Sequence, residues 1–268
     1  MQLFYSKDIT PEGFYTLDAE ESRHAVRVLR MREGDGINVT DGRGNLYHCR
    51  IVDANDRACV VEATFTSSQE QRTHHAVSAV SEEQTANVGN QAFSAEPTAH
   101  PEHPSIHLAV APTKNPARME WLVEKAVEMG VGEITLLQCD HSERSFLKTN
   151  RLEKLAISAM KQSLHTLLPK INPAVSLKDW LTHGTPHAIR LIAHCEADKP
   201  RTRLSESLKP GSDAVVLIGP EGDFSPEEIA LAIDRGFLPV SFGDARLRTE
   251  TAAIYAVAAF NFINQDLR

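Results

Sequence analysis

The chain has 268 residues, 41% of them hydrophobic and 24% charged, a balance that suits a folded globular protein and excludes a fibrous or wholly disordered one. Its 28 Lys and Arg stand against 36 Asp and Glu, a net charge of −8, so bulk charge gives nucleic-acid binding no support and any basic surface must be local. No apolar run approaches the roughly 18 residues a membrane span needs, and the start, MQLFYSKDITPEG, lacks the layout of a signal peptide. A cytoplasmic location with no membrane partner is expected. Cys49, Cys59, Cys139 and Cys195 are scattered with no Cys-x-x-Cys pair and read as free thiols.

Residues 1–66 read as a small β-domain with one helix. Gln2–Tyr5 and Tyr15–Leu17 are short strand candidates, and Ala19–Met31 has helical character. Further strands are expected at Ile37–Thr40, Leu46–Asp53 and Ala58–Thr66, where Gly34-Asp35-Gly36 and Asp41-Gly42-Arg43-Gly44-Asn45 mark turns. A small barrel is the expected architecture. Residues 67–104 are rich in Ser, Gln, Glu, Ala and Pro without apolar periodicity, and read as a flexible linker. His100, His103 and His107 fall in or beside it, but the prolines and linker composition favour coincidence, so no metal is expected.

Residues 105–268 alternate. Strands are expected at Ile106–Ala111, Ile134–Gln138, Ile189–His194, Ala214–Ile218 and Pro239–Phe242. Helices fill the gaps at Ala117–Met129, Arg151–His165, Pro226–Arg235 and Glu250–Asn264. Asn150 with Glu153, and Ser225-Pro226 with Glu228, have capping-box spacing, while Gly130 and Gly236 suit helix C′ positions. This is an α/β pattern of βαβ units with a mainly parallel sheet flanked by helices.

Two strand-to-loop-to-helix passages carry the chemistry. The strand ending at Ile218 runs into Gly219-Pro220-Glu221-Gly222-Asp223 before a helix at Ser225. The strand ending at Phe242 runs into Gly243-Asp244-Ala245-Arg246-Leu247-Arg248 before a helix near Thr249. In open parallel sheets ligands sit where strands end and helices begin. The first loop is neither a dinucleotide fingerprint nor a P-loop, and alone it reads as a tight turn. In the second, Arg246 and Arg248 place cations beside a helix N-terminus, where the macrodipole disfavours them, which points to function.

Ile218–Phe224 (IGPEGDF), Ser241–Ala253 (SFGDARLRTETAA) and Arg118–Val131 (RMEWLVEKAVEMGV) together resemble the RsmE family of SPOUT-class methyltransferases acting on small-subunit ribosomal RNA. Glu143-Arg144-Ser145, Gln162-Ser163 and Pro169-Lys170-Ile171 add to the likeness. The stretch His24–Arg30 matches the helix of that family's PUA-like domain. The chain departs from the pattern at Asp223, where Gly is common, and at Leu164-His165, where Gly-Arg is frequent.

The resemblance implies a PUA-like β-barrel RNA-binding domain over 1–66, a linker over 67–104, and a trefoil-knotted SPOUT domain over 105–268. It implies S-adenosylmethionine as cofactor, held by Ala193, His194, Cys195 and Glu196, by Ile218, Gly219, Pro220, Glu221 and Gly222, and by Phe242, Gly243, Arg246, Leu247, Arg248, Thr249 and Glu250. It also implies a homodimer, with the Ala-rich face of the last helix (Ala252, Ala253, Ala256, Ala259) serving dimer contact or ordinary core packing. The implied reaction methylates N3 of a uridine in 16S ribosomal RNA of the small subunit, without a metal. Arg248 is the candidate for stabilising the uracil anion or positioning the substrate, and Glu250 or Glu221 for accepting its proton, the alternative for each glutamate being to hold the loops together by hydrogen bonds. Arg23, Arg27 and Arg30, spaced along one helix face, and Lys114 are candidate RNA contacts; the lesser reading of the arginines is a solvated face paired with Glu20, Glu21 and Glu33. The alternatives are a non-catalytic RNA-binding protein on an inert scaffold of the same fold, and a nucleotide-dependent α/β enzyme.

Overall fold

The computed structural model describes residues 2–11, 13–68, 103–143, 149–196 and 200–267. The segment expected as a linker, His100 and the Arg144-Ser145 pair lie outside these residues, apart from the linker's two ends. The chain divides into two compact units, Met1–His100 with Leu164–Leu167, and Pro101–Ser163 with Leu168–Arg268.

In the first unit, β1 (Leu3–Tyr5), β2 (Gly13–Thr16), β3 (Gly36–Thr40), β4 (Asn45–Asp53) and β5 (Val60–Ser68) form one five-stranded sheet in the order β1-β3-β4-β5-β2. Only the β1–β3 ladder is parallel. Alternate residues Ile37 and Val39 of β3, and Tyr47, Cys49 and Ile51 of β4, enter one core with Phe4, Leu17 and Ala25, as the period of two requires. The turn between β3 and β4 is organised by the buried Asp41 carboxylate, which accepts from the backbone N–H groups of Arg43 (2.8 Å) and Asn45 (3.2 Å) and from Asn45 Nδ2 (2.7 Å).

The first helix, α1 (Ala19–Arg23), starts at Asp18, whose carboxylate accepts from the N–H groups of Glu20 (2.9 Å) and Glu21 (2.8 Å). Its pattern predicts helix to Met31, but the coil widens to a π-turn over His24–Val28, and Arg30 takes a left-handed φ of 58°. Arg30 therefore leaves the helical register shared by Arg23 and Arg27. Leu164–Leu167 belongs to this unit because the Thr166 carbonyl accepts from Gly44 N (3.0 Å) and Thr40 Oγ1 (3.1 Å).

The second unit is built on a seven-stranded sheet: β6 (Ile106–Val110), β7 (Glu133–Gln138), β8 (Lys170–Ser176), β9 (Ile189–Ala193), β10 (Thr202–Arg203), β11 (Ala214–Ile218) and β12 (Leu238–Ser241). Their order is β10-β12-β9-β11-β6-β7-β8, and every ladder is parallel. The central strands β6 and β11 are buried at all positions, which is why they read as unbroken apolar runs rather than alternating ones. On one face Leu177 and Leu181 of α4 (Leu177–His183) and Ile229 and Ala232 of α6 (Pro226–Asp234) pack on Ala109, Leu137, Ile192 and Leu217. The helix α7 (Thr249–Ile263) packs on β6, β11 and α2 (Pro116–Glu128), and α2 packs on α3 (Thr149–Ser163).

The caps follow local chemistry. Ser225 and Glu228 form a complete capping box at α6. After α2 the N–H groups of Gly130 and Val131 return to Val127 O (2.9 Å) and Ala126 O (3.0 Å), and after α6 those of Gly236 and Phe237 return to Ile233 O (2.9 Å) and Ala232 O (3.0 Å). Both are Schellman motifs with glycine at positive φ. The helix α3 ends without glycine, on Leu164 at φ 61°. Sequence patterning does not reveal β8, α4, β10 or the single-turn α5 (Leu204–Ser207). The strand β8 is an edge strand of intermediate burial, and its pairing to β7 slips where Pro173 has no N–H to donate.

One buried polar group crosses this sheet. His107 is 4% exposed, its Nε2 lies 2.8 Å from Thr135 Oγ1, and Trp180 meets its ring edge-on. Burial drives its pKa down to about 4, outweighing the Glu133 carboxylate at 3.8 Å, so at neutral pH the contact is not an ion pair. Between pH 6.5 and 4 the unfolded chain binds this proton and the native protein does not, so stability is full above that window and falls as the pH drops through it. Urea unfolding at pH 7 and pH 5 will give a loss about 2 kcal/mol larger for the wild-type protein than for His107→Gln.

A cleft at the carboxyl ends of three parallel strands

Ala193 at the end of β9 pairs with Ile218 of β11 on one side and Val240 of β12 on the other. The three following loops therefore leave the sheet side by side. They enclose a cleft of about 790 Å³, within the range of small-molecule and cofactor sites. Ala193, His194 and Cys195 line it from the first loop. Ile218, Gly219, Pro220 and Glu221 do so from the second, and Phe242, Gly243, Arg246, Leu247, Arg248 and Thr249 from the third.

Three expected residues stand off the lining: Glu196, Gly222 and Glu250. Gly222 is turned to the loop after β7, where an added Cβ would lie 3.1 Å from His141 Cβ. At Gly219 a Cβ would lie 3.1 Å from the Phe224 ring and 3.3 Å from Phe224 N. At both positions a side chain would crowd a neighbour within the protein. Glu250 is 7% exposed and faces α2, its Oε1 3.6 Å from Arg118 Nη1, and its Oε2 has no hydrogen-bond partner among the described residues.

The loops are tied to one another. Thr249 Oγ1 donates to Gly219 O (3.0 Å), so the start of α7 is fastened to the second loop. Arg248 is the N-cap of α7 and makes no side-chain cap bond, leaving the first-turn N–H groups uncapped beside the cleft. Glu221 is exposed, and its Oε1 accepts from Lys114 N (2.9 Å). The Lys114 ammonium lies 2.6 Å from Glu143 Oε2 and near Glu221, and both hold its pKa above the usual range. Phe242 stacks on Tyr255 with centroids 5.4 Å apart.

Four further charged or polar residues line the cleft: Arg201 and Ser241, which the sequence reading does not place there, and Asp223 and Asp244, which lie in the two expected loops without an assigned contact. Arg201 reaches the cleft through a 2.6 Å bond from Nη1 to His194 O, and nothing in its own neighbourhood signals this. Asp223 carried a signal, as a departure from the glycine common in the resembling family. With Glu221, Arg246 and Arg248, these residues give the cleft three carboxylates and three guanidinium groups.

In the first unit Arg23, Arg27 and Arg30 are all exposed. Arg27 pairs with the Asp56 carboxylate rather than with the glutamates of its own helix.

A parallel sheet with a cofactor-sized cleft at adjoining strand ends, preceded by a small β-unit, agrees with the family comparison. Residues 101–261 match the model of the RNA methyltransferase domain, and residues 17–64 match that of the RNA methyltransferase PUA domain. Among solved structures, a probable rRNA-methyltransferase from Porphyromonas gingivalis is 38% identical over 100% of both chains, with a TM-score of 0.82. A protein of Legionella pneumophila in complex with the bound cofactor SAM is 25% identical over 98% of this chain and 97% of that one, with a TM-score of 0.76. The ribosomal RNA small subunit methyltransferase E of Buchnera aphidicola (subsp. Acyrthosiphon pisum) is 25% identical, over 100% of this chain and 95% of its own. The fold and cleft are thus of the RNA methyltransferase class. Within that class, the chain belongs to the ribosomal RNA small subunit methyltransferase E family.

Gly219 offers a direct check on the second loop. Gly219→Ala places a methyl group against the buried Phe224 ring and will lower stability by about 1–3 kcal/mol, measured as a reduced urea midpoint; Phe224→Leu in the same chain will recover part of the loss.

Proposed function

We propose that the protein transfers a methyl group from S-adenosylmethionine to N3 of a uridine in 16S ribosomal RNA. The observation that carries this reading is the cleft at Ala193, Ile218 and Val240 in a chain of this family. Its volume and its paired charges fit the cofactor, which bears a carboxylate, an amino group and a sulfonium. The Legionella structure in complex with SAM supports the same choice. When bound, the cofactor supplies a methyl group already activated by the sulfonium. The uncapped first turn of α7 and Arg248 favour negative charge at the cleft, and Ile218, Val240 and Leu247 supply apolar wall.

The uracil N3 proton must leave before that nitrogen can attack. Glu221, exposed and on the cleft, is better placed to accept it than Glu250, which is buried against Arg118. Arg248 is assigned to stabilising the uracil anion. Arg23, Arg27, Arg30 and Lys114 are assigned to phosphate contacts, with the existing carboxylate partners of Arg27 and Lys114 as competitors. Residues 1–66 are assigned to RNA binding, 67–104 to a linker and 105–268 to catalysis, with the trefoil knot of the SPOUT class within the last. A cytoplasmic place of action accompanies this reading. In its support, the four cysteines are free, and no helix among the described residues is long and apolar enough to cross a membrane.

Incubated with labelled S-adenosylmethionine and small ribosomal subunits lacking the modification, the wild-type protein will label 16S RNA. Arg248→Ala will lower the rate by about 10²–10³-fold. Cofactor binding without any transfer would favour the non-catalytic RNA-binding reading.

A homodimer is part of the proposal. Ala252, Ala253 and Ala256 are buried within the protomer, while Tyr255 and Phe262 on the outer face of α7 are 47% and 72% exposed. That outer face, rather than the alanines, is the surface offered to a second copy. Sedimentation velocity will find a dimer for the wild-type protein and a monomer for Phe262→Asp.

A further inference from the structure

Asp223 stands in left-handed backbone at φ 64°, a conformation that costs a side chain about 1–2 kcal/mol and that glycine adopts freely. Every polar group of this residue is nonetheless engaged. Its N–H donates to Pro220 O (2.9 Å), closing the turn of the second loop. Its carbonyl lies 3.1 Å from His141 Nδ1, which must donate because its other partner, Gly222 O at 3.1 Å, is also a carbonyl. Carboxylate Oδ1 accepts from Phe224 N (2.8 Å), and Oδ2 accepts from Cys195 N at 2.6 Å. The residue thus joins the loops following β7, β9 and β11, and both it and Cys195 line the cleft.

We propose that Asp223 is a positioning residue that clamps the Cys195 loop onto the Gly219–Gly222 loop and so sets the width of the cofactor cleft. The inference rests on the functional reading above and deepens it. Hydrogen bonds with an ionised acceptor are roughly twice as strong as neutral ones, and only the side chain reaches across to the next strand's loop. Glycine would keep the turn and remove the strain but leave Cys195 N–H without its acceptor.

Three forms of the full-length protein test it: wild type, Asp223→Gly and Asp223→Asn. In the absence of ligand, hydrogen exchange at the Cys195 amide will accelerate in Asp223→Gly, while global unfolding changes little because relief of backbone strain offsets the lost bonds. Calorimetry with S-adenosylmethionine will give about tenfold weaker binding for Asp223→Gly. In turnover, KM for the cofactor will rise by a similar factor and kcat at saturation will stay within about twofold. Asp223→Asn tolerates left-handed backbone, but its amide accepts only one of the two N–H groups and turns its NH2 toward the other, so it will recover part of the affinity. Cofactor affinity in Asp223→Gly equal to wild type, or Asn as weak as Gly, would overturn the proposal. Failure of the wild-type protein itself to bind S-adenosylmethionine would instead defeat the functional reading.

Discussion

Everything at the cleft depends on the pairing of Ala193 between Ile218 and Val240. Parallel strands in register end at the same level, and each must hand its chain to a crossover on the same side. Three loops consequently emerge together where their backbone groups have no ladder partners. The pairing is itself a product of burial. The residues of β11 and most of β9 are apolar and covered on both faces, and strands of that kind are held in the middle of a sheet. The chain runs outward through β6, β7 and β8, then returns to the other side of β6 for β11, β9 and β12. The cleft lies to one side of this reversal, where β11, β9 and β12 stand next to one another and release their loops together.

The walls of the cleft are tied together by the protein's own hydrogen bonds. Thr249 fastens the start of α7 to Gly219, Arg201 fastens its segment to His194, and Lys114 N–H is tied to Glu221. Asp223 adds the link to Cys195. These bonds use backbone groups that would otherwise be unpaired at the strand ends, so they satisfy the protein's own polar atoms while fixing the walls. Bonds of this kind lower the cost of ordering loops on association. The side chains left facing the cleft carry both signs of charge, which suits a ligand that does the same.

Local chemistry explains which parts of this were legible beforehand. The capping box at Ser225 and Glu228, the C′ glycines Gly130 and Gly236, and the apolar run Ala214–Ile218 each act over a few residues and leave a mark in the chain. The second and third loops were legible for the same reason, as Gly, Pro and charged residues directly after a strand. β8 was not, because an edge strand needs no apolar run and Pro173 interrupts its pattern. Arg30 carries the composition of a helix but leaves it, because the π-turn before it changes the register without changing the residue pattern. Arg201 left no mark at all, since its role comes from a carbonyl in another segment.

The two carboxylates beside the third loop separate the contributions of sequence and tertiary structure. Sequence by itself determined the α/β class, the family motifs, and the two strand-to-helix loops, because these follow from periodicity and turn chemistry along neighbouring residues. It presented Glu221 and Glu250 as equivalent candidates. Only the folded arrangement set them apart, turning Glu250 toward Arg118 and leaving Glu221 on the cleft. It likewise turned an unexpected Asp223 into a bond across two strands. The reason is distance: periodicity and caps are contacts within a few residues, whereas Glu250 with Arg118 and Asp223 with Cys195 are brought together only when the parallel sheet aligns its strand ends.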